Sequence, residues 1–187
     1  MSNGPRFSAL TEDLMNEEQR SVYRAIAGGP RGGVRGPFNF LLRSPELADR
    51  AQKLGEYARF KSSLRAALNE LAILVTARYW SAQYEWYAHV KLAEKAGLRP
   101  EIIRSIGKNQ KPADMSADET IVYEFCHELH HKKEVSDATY AAAAKRFGER
   151  GVVDLVGVSG YYTLVSMVLN VERHALPDGQ PDPLQKL

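Results

Sequence analysis

The stretch LRAALNELAILVTARYW, Leu64 to Trp80, is followed after one residue by AQYEWYAHVKLAEKA, Ala82 to Ala96, and this pair of segments decides the fold class. Leu68, Leu71, Ala72, Val75 and Tyr79 recur at helical spacing on one face of the first segment, with Ile73 and Leu74 beside it. A helix that is apolar around most of its circumference belongs inside a core. The second segment predicts a helix closed by Gly97 and followed by Pro100.

Outward from this pair the chain keeps the same period. Glu17 to Ala27 predicts a short first helix, and Gly28 to Pro37 breaks regular structure with its glycines and prolines. Ser44 before Pro45 marks a helix start, with the helix running to about Phe60. Pro100 to Ile106 adds a short helical turn. Ala117 to Lys133 places Ile121, Val122, Phe125, Cys126 and Leu129 on one face. Ser136 or Asp137 opens a helix that Gly148 stops after Phe147, and Gly151 to Arg173 is the last and most apolar. No useful segment alternates at period two, so the fold is all-α, a bundle of six to eight helices. Residues 1–176 read as a single domain and 177–187 as a proline-rich tail, mobile or lying on a neighbouring subunit.

At 44% apolar and 26% charged residues, composition is that of an ordinary globular chain. A formal charge of +2 supplies no general field for nucleic acid or membrane, so neither is expected as a partner. Cys126 is the one cysteine, which excludes an intramolecular disulfide and any CxxC motif and suits a reducing, cytoplasmic setting. The N-terminal residues carry no apolar signal core, so no export signal is expected. Val152 to Val171 is long enough to cross a bilayer. Asp154, Gly157, Ser159, Gly160, Thr163 and Asn170 interrupt it, and it reads as a buried or subunit-contacting helix.

The chemistry concentrates between residues 70 and 89. Glu85 and His89 are four residues apart, so on a helix they share a face and can meet. Glu70 lies in the preceding apolar helix, where a carboxylate must be surface-exposed, paired or shifted in pKa. An antiparallel turn at Trp80 to Ala82 would bring Glu70 opposite the later pair, but the sequence alone does not fix that turn. Histidine titrates near neutrality and a carboxylate can orient its ring, which suits proton transfer. The same spacing also describes a solvent-facing helical ion pair, and spacing alone leaves both readings open. Tyr79, Trp80, Tyr84, Trp86 and Tyr87 surround these positions, either as a wall that excludes water or as core packing.

The runs Asn69-Glu70-Leu71-Ala72-Ile73-Leu74 and Ala82-Gln83-Tyr84-Glu85-Trp86-Tyr87-Ala88-His89 resemble the carboxymuconolactone decarboxylase family of the alkylhydroperoxidase D-like superfamily. Arg35-Gly36-Pro37-Phe38-Asn39, Ser44-Pro45-Glu46-Leu47, Gly151 to Val156, Gly160-Tyr161-Tyr162 and Leu169-Asn170 extend the similarity over roughly residues 35 to 172. The peroxidase branch of the superfamily carries a CxxC pair upstream of its histidine. Here Ala82 and Glu85 stand at those two positions, while Glu70 matches that branch's glutamate. Without a thiolate no sulfur nucleophile can reduce a peroxide, so CxxC-dependent peroxidase activity is not expected.

The resemblance implies an alkylhydroperoxidase D-like helical bundle, homo-oligomeric as a trimer or hexamer. It also implies cofactor-free decarboxylation, or related lyase chemistry, on a small carboxylated lactone or aromatic-derived metabolite. Glu70, Glu85 and His89 are then the catalytic candidates, with His89 supplying a proton, Glu85 orienting it and Glu70 tuning or relaying. Arg35 is the candidate grip for a substrate carboxylate, because a guanidinium binds one bidentately; Tyr79 and Trp86 complete the expected substrate-binding set. An isomerase or hydrolase using the same Glu/His pair, or a non-catalytic binding protein of the family, are the alternatives.

No metal is expected. His127 and His131 have a chelating spacing, but His127, His130 and His131 fall opposite the apolar face beside Lys132 and Lys133, which predicts a solvated helix end. Cys126 reads as a small core residue. The Gly28 to Gly36 stretch lacks the GxxxxGK[ST] pattern and reads as a loop bordering the site or a subunit.

Overall fold

A computed structural model describes residues 4–177 and 180–187. Among them there is no strand. A 3-10 turn at Glu12–Leu14 precedes eight helices: α1 Glu17–Ala27, α2 Phe38–Leu41, α3 Pro45–Phe60, α4 Ala66–Tyr79, α5 Gln83–Lys95, α6 Pro100–Gly107, α7 Ala117–Lys132 and α8 Asp137–Glu172. The all-α bundle is as expected. α2 is too short to show a period, and its Phe38 and Leu41 are buried.

α4 is the axis, with α5, α6, α7 and α8 packed around it. Every residue from Leu68 to Arg78 is buried, as an all-round apolar helix requires. Leu71, Ile73 and Leu74 have no exposed surface, and burial of each side chain stabilises the fold by about 1.5–3 kcal/mol. α1 reaches the bundle through α3, which packs on α8, and α2 touches both α3 and α8.

Chain ends are set by local chemistry. Asn16 and Gln19 form a capping box at α1, and Ser116 and Glu119 form another at α7. Pro45 and Pro100 occupy the first turns of α3 and α6, where a missing N–H costs nothing. Ser81 takes a left-handed conformation at φ 47°, turning the chain back from α4 into α5. Asn170 Nδ2 donates to the Trp80 carbonyl at 2.8 Å, and Trp80 Nε1 donates to Thr163 Oγ1 at 3.2 Å, so α8 straps this turn. Gly148, at φ 70°, kinks α8 at the expected helix stop.

α8 is long and apolar enough to cross a bilayer, and 56% of its most apolar window is buried within the chain. Its interrupting polar groups have partners inside. Asp154 accepts from Tyr57 Oη at 2.8 Å, from Ser63 N at 2.7 Å and from Ser63 Oγ at 2.6 Å. Burial alone would raise the Asp154 pKa, but these bonds hold it below the ordinary carboxylate value. The outward stripe of α8 stays apolar: Val153, Val156, Met167 and Val171 are exposed, and Gly157 and Gly160 open onto free space.

The tail departs from the mobile segment read from its prolines. Leu184 is buried, and its N–H and carbonyl are clasped by the Gln83 amide at 2.9 Å each. One apolar side chain and one amide suffice to anchor it on α5. Asp178 and Gly179 of this tail lie outside the described residues, as do Met1 to Asn3 at the other end.

Candidate active site

The α4–α5 hairpin brings Glu70, Glu85 and His89 together. His89 Nδ1 lies 2.7 Å from Glu70 Oε2, and Nε2 lies 3.0 Å from Glu85 Oε1. All three are buried, at 8%, 4% and 5% exposure, so a solvent-facing helical pair is not what forms. Burial pushes the imidazole toward neutrality. The charges and hydrogen bonds of Glu85 and Glu70 outweigh that and raise its pKa to about 9. Near neutral pH His89 is therefore an imidazolium donating both N–H groups, one to each carboxylate.

A cavity of about 350 Å³ opens on one side of this cluster. Glu85 and His89 line it, whereas Glu70 stands behind the ring, outside the lining. Glu70 therefore holds Nδ1, and Nε2 is the cavity-side nitrogen. Tyr162 closes the floor, its ring edge-on to His89 at 5.0 Å. Burial first, then Glu85 and Glu70, raises the Tyr162 pKa well above its usual value, so it stays a neutral phenol.

The rim is cationic. Arg31, Arg35, Arg59 and Lys91 line the cavity, against the one lining carboxylate, Glu85. Arg31 and Arg35 come from the Gly-rich loop after α1, which does border the site as its composition suggested. Arg31 Nη2 donates to Tyr161 Oη at 3.3 Å, and its guanidinium stacks over Phe38 at 4.9 Å. Gly55 on α3 makes this possible: a Cβ there would run into the Tyr161 hydroxyl and the Arg31 guanidinium. Arg31, Arg59, Tyr161 and Tyr162 were not among the expected substrate-binding residues. Only the Gly160-Tyr161-Tyr162 run carried any signal for them.

Two expected members stand elsewhere. Tyr79 faces α7, its ring stacked on His130 with centroids 5.0 Å apart. Trp86 is buried at 6% exposure and packs against Gly107 of α6. One residue step rotates a helix by about 100°, so Trp86 cannot share the inward face of Glu85 and His89. Larger clefts exist, one of about 1030 Å³ beside the α4–α5 turn and the tail, and one of about 770 Å³ by α6. Among the described residues neither is lined by both members of an acid–base pair, although His174 in the first meets Glu172 at 3.1 Å from outside the lining.

Of the α7 histidines, His131 is exposed as expected and His130 is not. His130 is buried at 7% exposure, because α7 packs on both α4 and α8 and so buries a wider arc. Its Nε2 meets Thr76 Oγ1 at 2.9 Å, and burial, with Lys133 and the neighbouring histidines, lowers its pKa to about 4. His127 and His131 stack at 4.3 Å, and no group of three or more His, Cys, Asp or Glu among the described residues is placed to hold a metal. Cys126 is buried beside Ser159 Oγ at 3.6 Å, and burial pushes its thiol up to about 12.

No curated protein matches the chain significantly. The family model described as "Carboxymuconolactone decarboxylase family" matches residues 45–116, from the start of α3 to the N-cap of α7. This is a shorter span than the 35 to 172 over which the resemblance was read, and it leaves α7 and α8 outside. It includes all three members of the buried cluster. Residues 45–116, the segment that builds the Glu70–His89–Glu85 array, are thus similar to the carboxymuconolactone decarboxylase family.

Proposed function

We propose that the chain is a cofactor-free decarboxylase, or related lyase, acting on a small carboxylated lactone or aromatic-derived metabolite. The observation that carries this reading is the buried His89 ring held between two carboxylates at the edge of an arginine-lined cavity. Arg31, Arg35 and Arg59 offer the forked donors that a carboxylated substrate needs. The C–C bond to the departing CO2 breaks heterolytically, and its electron pair delocalises into the unsaturated lactone as an enolate. The Nε2 proton, shared with Glu85 on the cavity side, passes to the enolate carbon. His89 is left neutral and recovers a proton from solvent. Glu70 is a positioning residue that keeps Nδ1 protonated and fixes the ring, while Tyr162 excludes water from the floor.

A homo-oligomer is part of the same proposal. The exposed apolar stripe of α8, Val153, Val156, Met167 and Val171 with Gly157 and Gly160 between, is a face suited to another copy. The single cysteine suits a reducing cytoplasmic compartment.

The test is mass-spectrometric analysis of a panel of unsaturated lactone mono- and dicarboxylates incubated with the wild-type, His89→Asn and Glu85→Gln proteins. Loss of CO2 by the wild type, abolished in both variants, is expected. Conversion without change of mass would assign an isomerase, and gain of water a hydrolase. Turnover equal in all three proteins would remove the acid–base assignment.

A further inference from the structure

Arg78, in the last turn of α4, is buried at 4% exposure, and its Nε and Nη1 have no hydrogen-bond partner. Among the described residues it forms no ion pair, and burial alone acts on its titration, lowering its pKa. A guanidinium does not shed its proton inside a protein. Buried charges are paired or strongly unfavourable, so this one calls for an anion that the described side chains do not provide.

Arg78 lines the cleft of about 770 Å³ between α4, α5, α6 and the C-terminal tail, whose Pro183, Gln185, Lys186 and Leu187 also line it. Trp86, Val90 and Ile103 give that cleft an apolar side, and Lys108 and Gln110 stand at its polar edge. Among the described residues its one lining acidic side chain, Glu94, is exposed and forms no ion pair with Arg78. Trp86, Val90 and Glu94 run along one face of α5. Glu85, His89 and Leu92 run along another, lining the His89 cavity, so the two sites share a helix but no lining residue.

We propose that the Arg78 cleft is a second binding site, taking a small organic carboxylate with an apolar body. The carboxylate sits bidentately on Arg78, and the body lies against Trp86, Val90 and Ile103. Lys108 draws the anion toward the cleft, and the Gln110 amide can donate to its outer oxygen. This site is independent of the chemistry proposed at His89.

Trp86 lines this cleft and not the His89 cavity, so its fluorescence reports the site once the other tryptophan is removed by Trp80→Phe. Benzoate is the probe. In this background a saturable change in Trp86 emission and a rise in melting temperature are expected. Arg78→Met should weaken binding about 10- to 100-fold, the loss of a charge-assisted pair, while Arg59→Met, in the other cavity, should leave it unchanged. Should Arg78→Met fail to fold, Lys108→Ala with Gln110→Ala tests the exposed edge, where a several-fold loss is expected. No saturable change, equal affinity in Arg78→Met, or chloride or inorganic phosphate binding as tightly as benzoate would each overturn the assignment. So would dissociation of an oligomer by Arg78→Met, because the guanidinium would then be partnered by a second copy.

Discussion

Replacing Gly55 by alanine tests how closely α3 and α8 must approach to build the cavity wall. A Cβ at this position enters space held by the Tyr161 hydroxyl and the Arg31 guanidinium. Tyr161 is 3% exposed and wedged between α3 and its neighbour Tyr162, so its ring has little room to retreat. Overpacking of this kind costs about 1–3 kcal/mol, and loss of the Arg31–Tyr161 bond adds about 1 kcal/mol. Alanine returns about 1 kcal/mol through helix propensity. The net is a loss of about 1–3 kcal/mol, a fall of roughly 2–12 °C in melting temperature for a chain of this size. Gly157→Ala and Gly160→Ala are the controls, since a Cβ at either meets nothing within 4 Å. In a monomer both controls should gain stability. Thermal unfolding and urea titration of the three variants measure the contrast, and affinity for a carboxylated ligand should drop in Gly55→Ala alone. A Gly55→Ala protein as stable as wild type, with Tyr161 and Arg31 undisturbed, would refute the packing argument.

His130 makes stability fall on mild acidification. Its folded pKa of about 4 lies below the unfolded value of about 6.5, so the unfolded chain takes up the proton first. The contribution is full above pH 6.5 and is lost as pH falls toward 4, to a total of about 3 kcal/mol; urea titrations at pH 7 and pH 5 should show the decline, and His130→Gln should flatten it. Cys126, buried with its thiol pushed up to about 12, should react with a thiol reagent only at the rate of opening, and speed up sharply in denaturant. Labelling as fast as a free cysteine in native buffer would contradict its packing. Glu70→Gln should cut turnover about 10- to 1000-fold while leaving substrate KM within a few-fold, since Glu70 lies outside the cavity lining. A KM effect without a kcat effect would make it a binding residue instead.

What could be read from the sequence were features carried by local periodicity. α4 and α5 were legible because one apolar run and one Gly-Pro stop encode them, and Glu85 and His89 because helical spacing alone puts them on one face. Glu70 joined them through the turn at Ser81, whose left-handed geometry no serine announces. Arg31, Arg59, Tyr161 and Tyr162 were not legible as a set. They come from a loop, the end of α3 and the middle of α8, and the close approach at Gly55 brings Arg31 and Tyr161 together. Tyr79 and Trp86 misled for the converse reason: both are near His89 in sequence, but Tyr79 lies on α4 facing α7 and Trp86 on another face of α5. One buried face on α7 predicts a solvated His130, while contact with both α4 and α8 gives that helix a wider buried arc. The tail's prolines pointed to mobility, and a single leucine and a glutamine amide outweigh them.

The central claim is that His89 rests as an imidazolium between Glu70 and Glu85. Site-resolved 15N NMR of its ring nitrogens between pH 6 and pH 10.5, assigned by comparison with His89→Asn, measures this directly. Two protonated nitrogens at pH 7 and a midpoint near 9 are the expected result. A neutral ring at pH 7, with a midpoint at or below about 6.5, would contradict it, because the proton assigned to the substrate would not be there to give.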